Sequence, residues 1–151
     1  MYEFLKTVHI LAAIAWAGSN LGFVVLSWRL QKANDPAAIN GFLHAVEWMG
    51  LRVFMPLSLV ALIFGSWLVS EGSWGWDSLW VILALCGFGA TFLTGMFLLS
   101  PTMKKLNTVI AGGGTGTAEY NTLVDRLILT SRIDAAVFIL VILDMVIKPG
   151  A

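Results

Sequence analysis

The stretch LWVILALCGFGATFLTGMFLLS, Leu79 to Ser100, has no charged side chain, and it decides the class of the chain. A run of roughly 20 apolar residues is what a helix needs to cross about 30 Å of hydrocarbon. Comparable runs lie at Tyr2 to Trp28, at Met49 to Ser70 and at Ile133 to Ile147, the last extended on its N-terminal side by Leu123 to Thr130. Composition agrees: 58% of the 151 residues are hydrophobic and 12% charged, with a mean hydropathy of +0.85. Soluble domains carry about 25% charged residues. A soluble fold of this size could not bury so much apolar surface. The sequence therefore predicts an all-α, four-transmembrane-helix bundle. It forms one membrane domain over residues 1–151, with spans at about 2–28, 49–70, 79–100 and 131–148 and loops at 29–48 and 101–130.

The first run reads as a retained span. Tyr2, Glu3 and Phe4 stand where a signal peptide has its basic segment, and Trp28-Arg29 where small residues would be needed for cleavage. Cys86 is the sole cysteine, which excludes an intrachain disulfide or a CxxC redox pair.

Net charge is zero, but its distribution orients the chain. Arg29, Lys32 and Arg52 stand between the first and second spans, and Lys104, Lys105, Arg126 and Arg132 between the third and fourth. The turn from Glu71 to Ser78 holds Glu71 and Asp77 and no basic residue. The positive-inside rule then predicts cytoplasmic loops at 29–48 and 101–130 and both termini outside, against Lys6 and Lys148, which flank spans on the outer side. Trp28 and Trp48 fall at the predicted inner boundary, and Trp67, Trp74, Trp76 and Trp80 at the outer one, where amphipathic rings favour the headgroup level.

Local signals refine the loops. Asp35 before Pro36 predicts a capped helix that runs through Gly41 and Gly50 into the second span, where Pro56 should break the bond to the Arg52 carbonyl and kink the helix. Ser100-Pro101 predicts the start of a short amphipathic cytoplasmic helix reaching about Ala111. The segment from Ala111 to Thr117 is glycine-rich, but no strand precedes it and no Gly-Lys-Ser/Thr follows, so it predicts a hinge and not a phosphate cradle. From Thr117 one helix should continue to Lys148, its first turns projecting into the cytoplasm.

Small residues mark candidate packing faces. Leu11, Ala15, Gly18 and Gly22 form one stripe, and Gly87, Thr91 and Gly95 another. Ordinary intrachain packing accounts for both. Gly18, however, lies half a helical turn away from His9, so if His9 faces the bundle the glycine stripe faces out, where a second subunit could dock. His9 itself shares a face with Ala13, Trp16 and Asn20. An ionisable group at this depth is costly without a partner, so His9 is a candidate ligand or proton carrier as well as a candidate structural histidine. Lys6, Glu71 and Asp144 join it as an outer polar cluster, and Asp144 and Lys148 have the acid-first spacing of a helical ion pair. Arg132 and Asp134 have Glu47 and Arg52 as candidate partners near the inner boundary. His44 belongs to the opposite side from His9 and cannot share a metal with it in one chain. The second-ligand candidates are Met145 by depth, Lys148, or a His9 from another subunit.

Several segments carry a resemblance to a bacterial family of uncharacterised, predicted integral membrane proteins. They are Phe4 to Gly18, Val53-Phe54-Met55-Pro56 with Gly65 downstream, Ser100-Pro101 with Lys104-Lys105-Leu106, and Ser131-Arg132-Ile133-Asp134 on to Pro149. The resemblance implies a multi-pass protein of the bacterial inner membrane and no defined activity. More distantly, the Leu5-Lys6, His9, Trp16 and Gly18 pattern is similar to copper resistance protein D and to the membrane-bound, haem-containing protoporphyrinogen oxidase. That similarity implies His9 as an axial haem b ligand or a copper ligand. The oxidase also relies on a lysine inside the membrane, and no span here carries one centrally.

Three functions stay open on these grounds. The first is a non-enzymatic accessory or self-associating membrane subunit, a homo-oligomer or part of a larger complex in the lipid bilayer. The second is a haem or copper protein using His9. The third is a small transporter or channel subunit. The loops carry no catalytic spacing that would suggest an enzyme, and the basic residues are too few and too topological for nucleic acid.

Overall fold

The computed structural model describes residues 1–33 and 35–150, and these are all-helical. In chain order the helices are α1 (Tyr2–Ala33), α2 (Pro36–Met49), α3 (Met55–Glu71), α4 (Leu79–Thr94), α5 (Ser100–Ala111) and α6 (Ala118–Ile147). One turn of π-helix, Gly50–Phe54, welds α2 to α3, and another, Gly95–Leu99, welds α4 to α5. The chain is thus four long rods. Three of them, Tyr2–Ala33, Pro36–Glu71 and Leu79–Ala111, are long and apolar enough to cross a membrane. The fourth, α6, falls short of that mark because Arg132, Asp134 and Asp144 all lie in its last eighteen residues.

The rods alternate in direction. Tyr2 stacks at 6.5 Å on Trp74, and the Lys148 ammonium lies 3.8 Å from the centre of the same ring. The starts of α1 and α4 and the ends of α3 and α6 therefore share a tryptophan-rich end. The opposite, basic end holds Arg29, Lys104, Lys105 and Arg126. Along the bundle α1 packs chiefly on α3, α6 packs chiefly on α4, and α1 meets α6, whereas α3 and α4 are not packed along their length. At the centre, Trp16 of α1 wedges between Phe88 of α4 and Phe138 of α6, with ring centroids 5.9 and 4.4 Å away.

Helix ends follow the predicted chemistry at some points and depart from it at others. Asp35 Oδ1 accepts from the N–H groups of Ala37 and Ala38 at 2.9 and 3.4 Å, and Pro36 opens α2 without losing a needed donor. Thr117 caps α6, its hydroxyl accepting from the Tyr120 N–H at 3.3 Å. Between them, Ala111 to Thr117 forms a hydrogen-bonded turn, in which Gly113 and Gly116 take φ values of +76° and +84° that disfavour any side chain.

The two prolines each follow a π turn. No fresh helix starts at Ser100-Pro101, and at Pro56 the missing N–H comes just after Gly50–Phe54. The Met55 N–H reaches back to the Gly50 carbonyl and the Ser100 N–H to the Gly95 carbonyl, so each rod widens by one residue just ahead of its proline. Ser100 lies inside a continuous helix, its N–H bonded to the Gly95 carbonyl.

The basic end contains a water-type core. Ile39 and Leu43 of α2, Met103 and Leu106 of α5, and Tyr120, Val124, Leu127 and Ile128 of α6 bury one another. Leu106 is 0% exposed, and the Tyr120 hydroxyl donates to Asn40 Oδ1 at 2.7 Å. Burial pushes the Tyr120 phenol above its ordinary pKa.

Candidate functional site

His9 is held by backbone. Its Nδ1 lies 2.8 Å from the Ala61 carbonyl of α3, an acceptor, so Nδ1 carries the proton and donates. The imidazole packs against Gly65, where a Cβ would come within 2.8 Å of His9 Cε1. Gly65 is therefore the residue that admits the ring between α1 and α3, and Nε2 is the nitrogen left over. This half of the arrangement suits a ligand, since a metal-bound imidazole characteristically anchors its other nitrogen on a carbonyl. The other half is not assembled. Among the described residues no group of three His, Cys, Asp or Glu side chains could hold a metal ion, and His44 lies exposed on α2.

Lys148 is no free second ligand. It ends α6 in a left-handed conformation, φ +48°, and places its ammonium over Trp74 at 3.8 Å and over Trp80 at 5.3 Å. The expected Asp144–Lys148 ion pair is thereby replaced. Only the backbones of the two residues meet, Lys148 N–H to the Asp144 carbonyl at 2.8 Å. Both Asp144 carboxylate oxygens are buried without a hydrogen-bond partner, as is Trp80 Nε1. Met145 is half-buried beside them in sequence. Lys6 instead pairs with Glu3 at 3.8 Å on the surface, and Glu71 accepts from Trp67 Nε1 at 3.4 Å, so no hydrogen bond or ion pair joins Lys6, Glu71 and Asp144 among the described residues.

At the basic end, too, partners differ from expectation. Arg132 donates to Gln31 Oε1 at 2.7 Å and lies over the Trp28 ring at 5.5 Å, rather than reaching Glu47. Glu47 accepts from Asn107 at 3.0 Å, and Arg52 covers Trp48 at 5.1 Å.

The two small-residue rows have different uses. A side chain at Gly87 would run into Val141 of α6, and Thr91 is buried with its hydroxyl donating to the Phe88 carbonyl at 2.9 Å. Gly87 thus serves close packing of α4 on α6. A Cβ at Gly18, Gly22 or Gly95 would meet nothing within 4 Å. Gly18, Gly22 and Ala15 are exposed, and Leu11, 61% exposed, continues their face down the outside of α1.

A cavity of about 490 Å³ opens from the middle of the bundle toward the basic end. Trp16, Phe23, Phe54 and Phe92 supply aromatic wall, and Asn20 of α1 and Asp134 of α6 bring polar groups to it. Both π turns line it. The sequence reading did not anticipate this space, although glycine six positions before proline, at Gly50/Pro56 and again at Gly95/Pro101, was a repeated signal for it.

Residues 3–149 match the model of a family described as "Predicted integral membrane protein (DUF2269)". The chain belongs to this family. Membership agrees with the apolar rods and makes the protein a multi-pass integral membrane protein in a lipid environment. No curated protein matches the chain, and no solved structure does.

Proposed function

We propose that this member of the family is a non-enzymatic membrane subunit that self-associates through the Leu11, Ala15, Gly18 and Gly22 face of α1. The observation that carries the reading is that this small-residue pair is left open while its counterpart at Gly87 is consumed by α6. Lipid tails give helices no hydrophobic reason to pair, so close backbone approach at small residues is the main source of attraction. The same patch on two copies forms a self-complementary, two-fold contact, which makes a second copy the simplest occupant.

In this reading all four rods span the bacterial inner membrane, α6 as the fourth, with both termini outside. The concentration of Lys and Arg at the α2/α5 end supports that orientation. The buried cluster around Leu106 supports placing that end in water, because apolar burial of that kind is driven by water. The mass of the protein in mild detergent tests the reading. Wild type should run at twice the 16.4 kDa chain after subtraction of detergent, and Gly18→Leu/Gly22→Leu at one chain. A monomeric wild type contradicts it, and so does a double variant that stays dimeric.

One observation favours a second reading, His9 as a haem b or copper ligand: the Nδ1 anchor on Ala61 leaves Nε2 without a protein partner among the described residues. The remaining ligand would then come from another subunit. Oxidised and dithionite-reduced visible spectra, recorded beside His9→Ala, decide it. A Soret band that the substitution abolishes supports the ligand role, and an unchanged band removes it.

A further inference from the structure

The cavity between the two π turns has a consistent chemical sign. The Met55 N–H is taken by Gly50, and Pro56, next in register, has no N–H, so the Leu51 carbonyl has no helical donor. The Ser100 N–H is taken by Gly95, and Pro101 likewise leaves the Met96 carbonyl without one. Leu51 and Met96 both line the cavity. The hydroxyls of Ser27, Ser58 and Thr91 donate to carbonyls of their own helices, at 2.7, 2.8 and 2.9 Å, and so present oxygen lone pairs to their surroundings. Asp134 enters from α6 with no salt bridge among the described residues. The other charged groups on the wall are Glu47, already bonded to Asn107, and Lys104, which is exposed. Asn20 supplies the side-chain amide. The wall is therefore rich in acceptors, net negative, and otherwise aromatic and aliphatic.

We infer that this cavity binds a lipophilic organic cation, a quaternary or protonated ammonium or a phosphonium with an apolar body. The cationic centre sits against Asp134 and the freed carbonyls, and the body lies among Trp16, Phe23, Phe54 and Phe92. Three features select this class. The volume of about 490 Å³ falls within the ~300–1,000 Å³ usual for small-molecule sites and is far larger than one metal ion requires. Aromatic faces attract a poorly hydrated cation through their quadrupoles. An anion would face only Lys104 against Glu47 and Asp134. Unpaired helix carbonyls facing a cavity are also one means by which membrane proteins hold cations at depth.

Titration of the purified protein in an uncharged detergent with tetraphenylphosphonium, by calorimetry or by quenching of tryptophan fluorescence, tests the inference. Triphenylphosphine oxide serves as the neutral aromatic control. The expected result is saturable binding near one per chain that weakens at least tenfold in Asp134→Asn. It should persist in Asp125→Asn, which changes an exposed carboxylate outside the cavity, and be absent for the neutral control. Should Asp134→Asn fold poorly, Asn20→Leu, similar in volume and stripped of its amide, is expected to weaken binding severalfold. Equal binding of the neutral compound, unchanged affinity in both cavity variants, or no saturable binding by wild type overturns the proposal.

Discussion

The two ends of the bundle are built on different physics. Around Leu106 the protein is packed as a soluble domain is, with residues from α2, α5 and α6 buried on all sides. Farther from it, large apolar side chains such as Leu140, 63% exposed, face outward, and the rods touch through Gly65, Gly87 and a few aromatic rings. In water burial itself is favourable, so a core can be made of bulky side chains. In lipid it is nearly neutral, so contact must come from small residues and close fit. The contrast explains how a chain of this length keeps a cavity in its middle. The basic-end core ties the rods together, which lets α3 and α4 stand apart.

The comparison can be broken most directly at the core. Leu106→Ala should cost about 2–5 kcal/mol, as buried leucine truncations do, whereas Leu140→Ala, on an exposed face of α6, should cost little. Chemical denaturation of both in detergent micelles measures the difference, and similar losses would mean that the basic end is no special anchor. Next in size is Gly87→Leu, which must push Val141 and α6 away from α4 and should cost about 1–3 kcal/mol by overpacking. Gly18→Leu, the same change on the open face, should leave the stability of a single chain unaltered.

Tyr120→Phe removes the hydroxyl that donates to Asn40 and should cost about 1 kcal/mol. Its pH dependence sharpens the point. Because the folded phenol titrates above the unfolded one, whose pKa is 10.0, the folded state binds the extra proton between the two values. Stability should thus be intact below pH 10 and fall as pH rises from there toward the folded pKa, with a shallower fall in Tyr120→Phe. The smallest effect belongs to the tryptophan end. Lys148→Met loses the cation over Trp74 and should cost about 0.5–1 kcal/mol, read as a small drop in melting temperature.

Much of the architecture was legible in the chain because membrane helices announce themselves by length and hydropathy, and caps at Asp35 and Thr117 are local chemistry. Partners were less legible. Asp144 and Lys148 have the spacing of an ion pair, but two tryptophans far away in sequence offer the lysine a better seat. The Gly18/Gly22 and Gly87/Thr91/Gly95 rows look alike as strings, and only the neighbouring helix tells that Gly87 is filled while Gly18, Gly22 and Gly95 are open. His9 could be placed by depth, yet Gly65, which makes room for its ring, becomes meaningful only once α3 lies beside α1. Ser100-Pro101 reads as a helix start, and the widening before Pro56 goes unread, because a π turn leaves no mark in composition. Its signature was the glycine that precedes each proline at the same distance.

The open face of α1 is probed most directly by cross-linking in native membranes, with Cys86→Ser removing the sole thiol. In that background Ala15→Cys should give a disulfide-linked dimer on mild oxidation, and Leu140→Cys, exposed on α6, should stay monomeric. No cross-link at position 15, or equal cross-linking at both positions, would contradict self-association through the Gly18/Gly22 face.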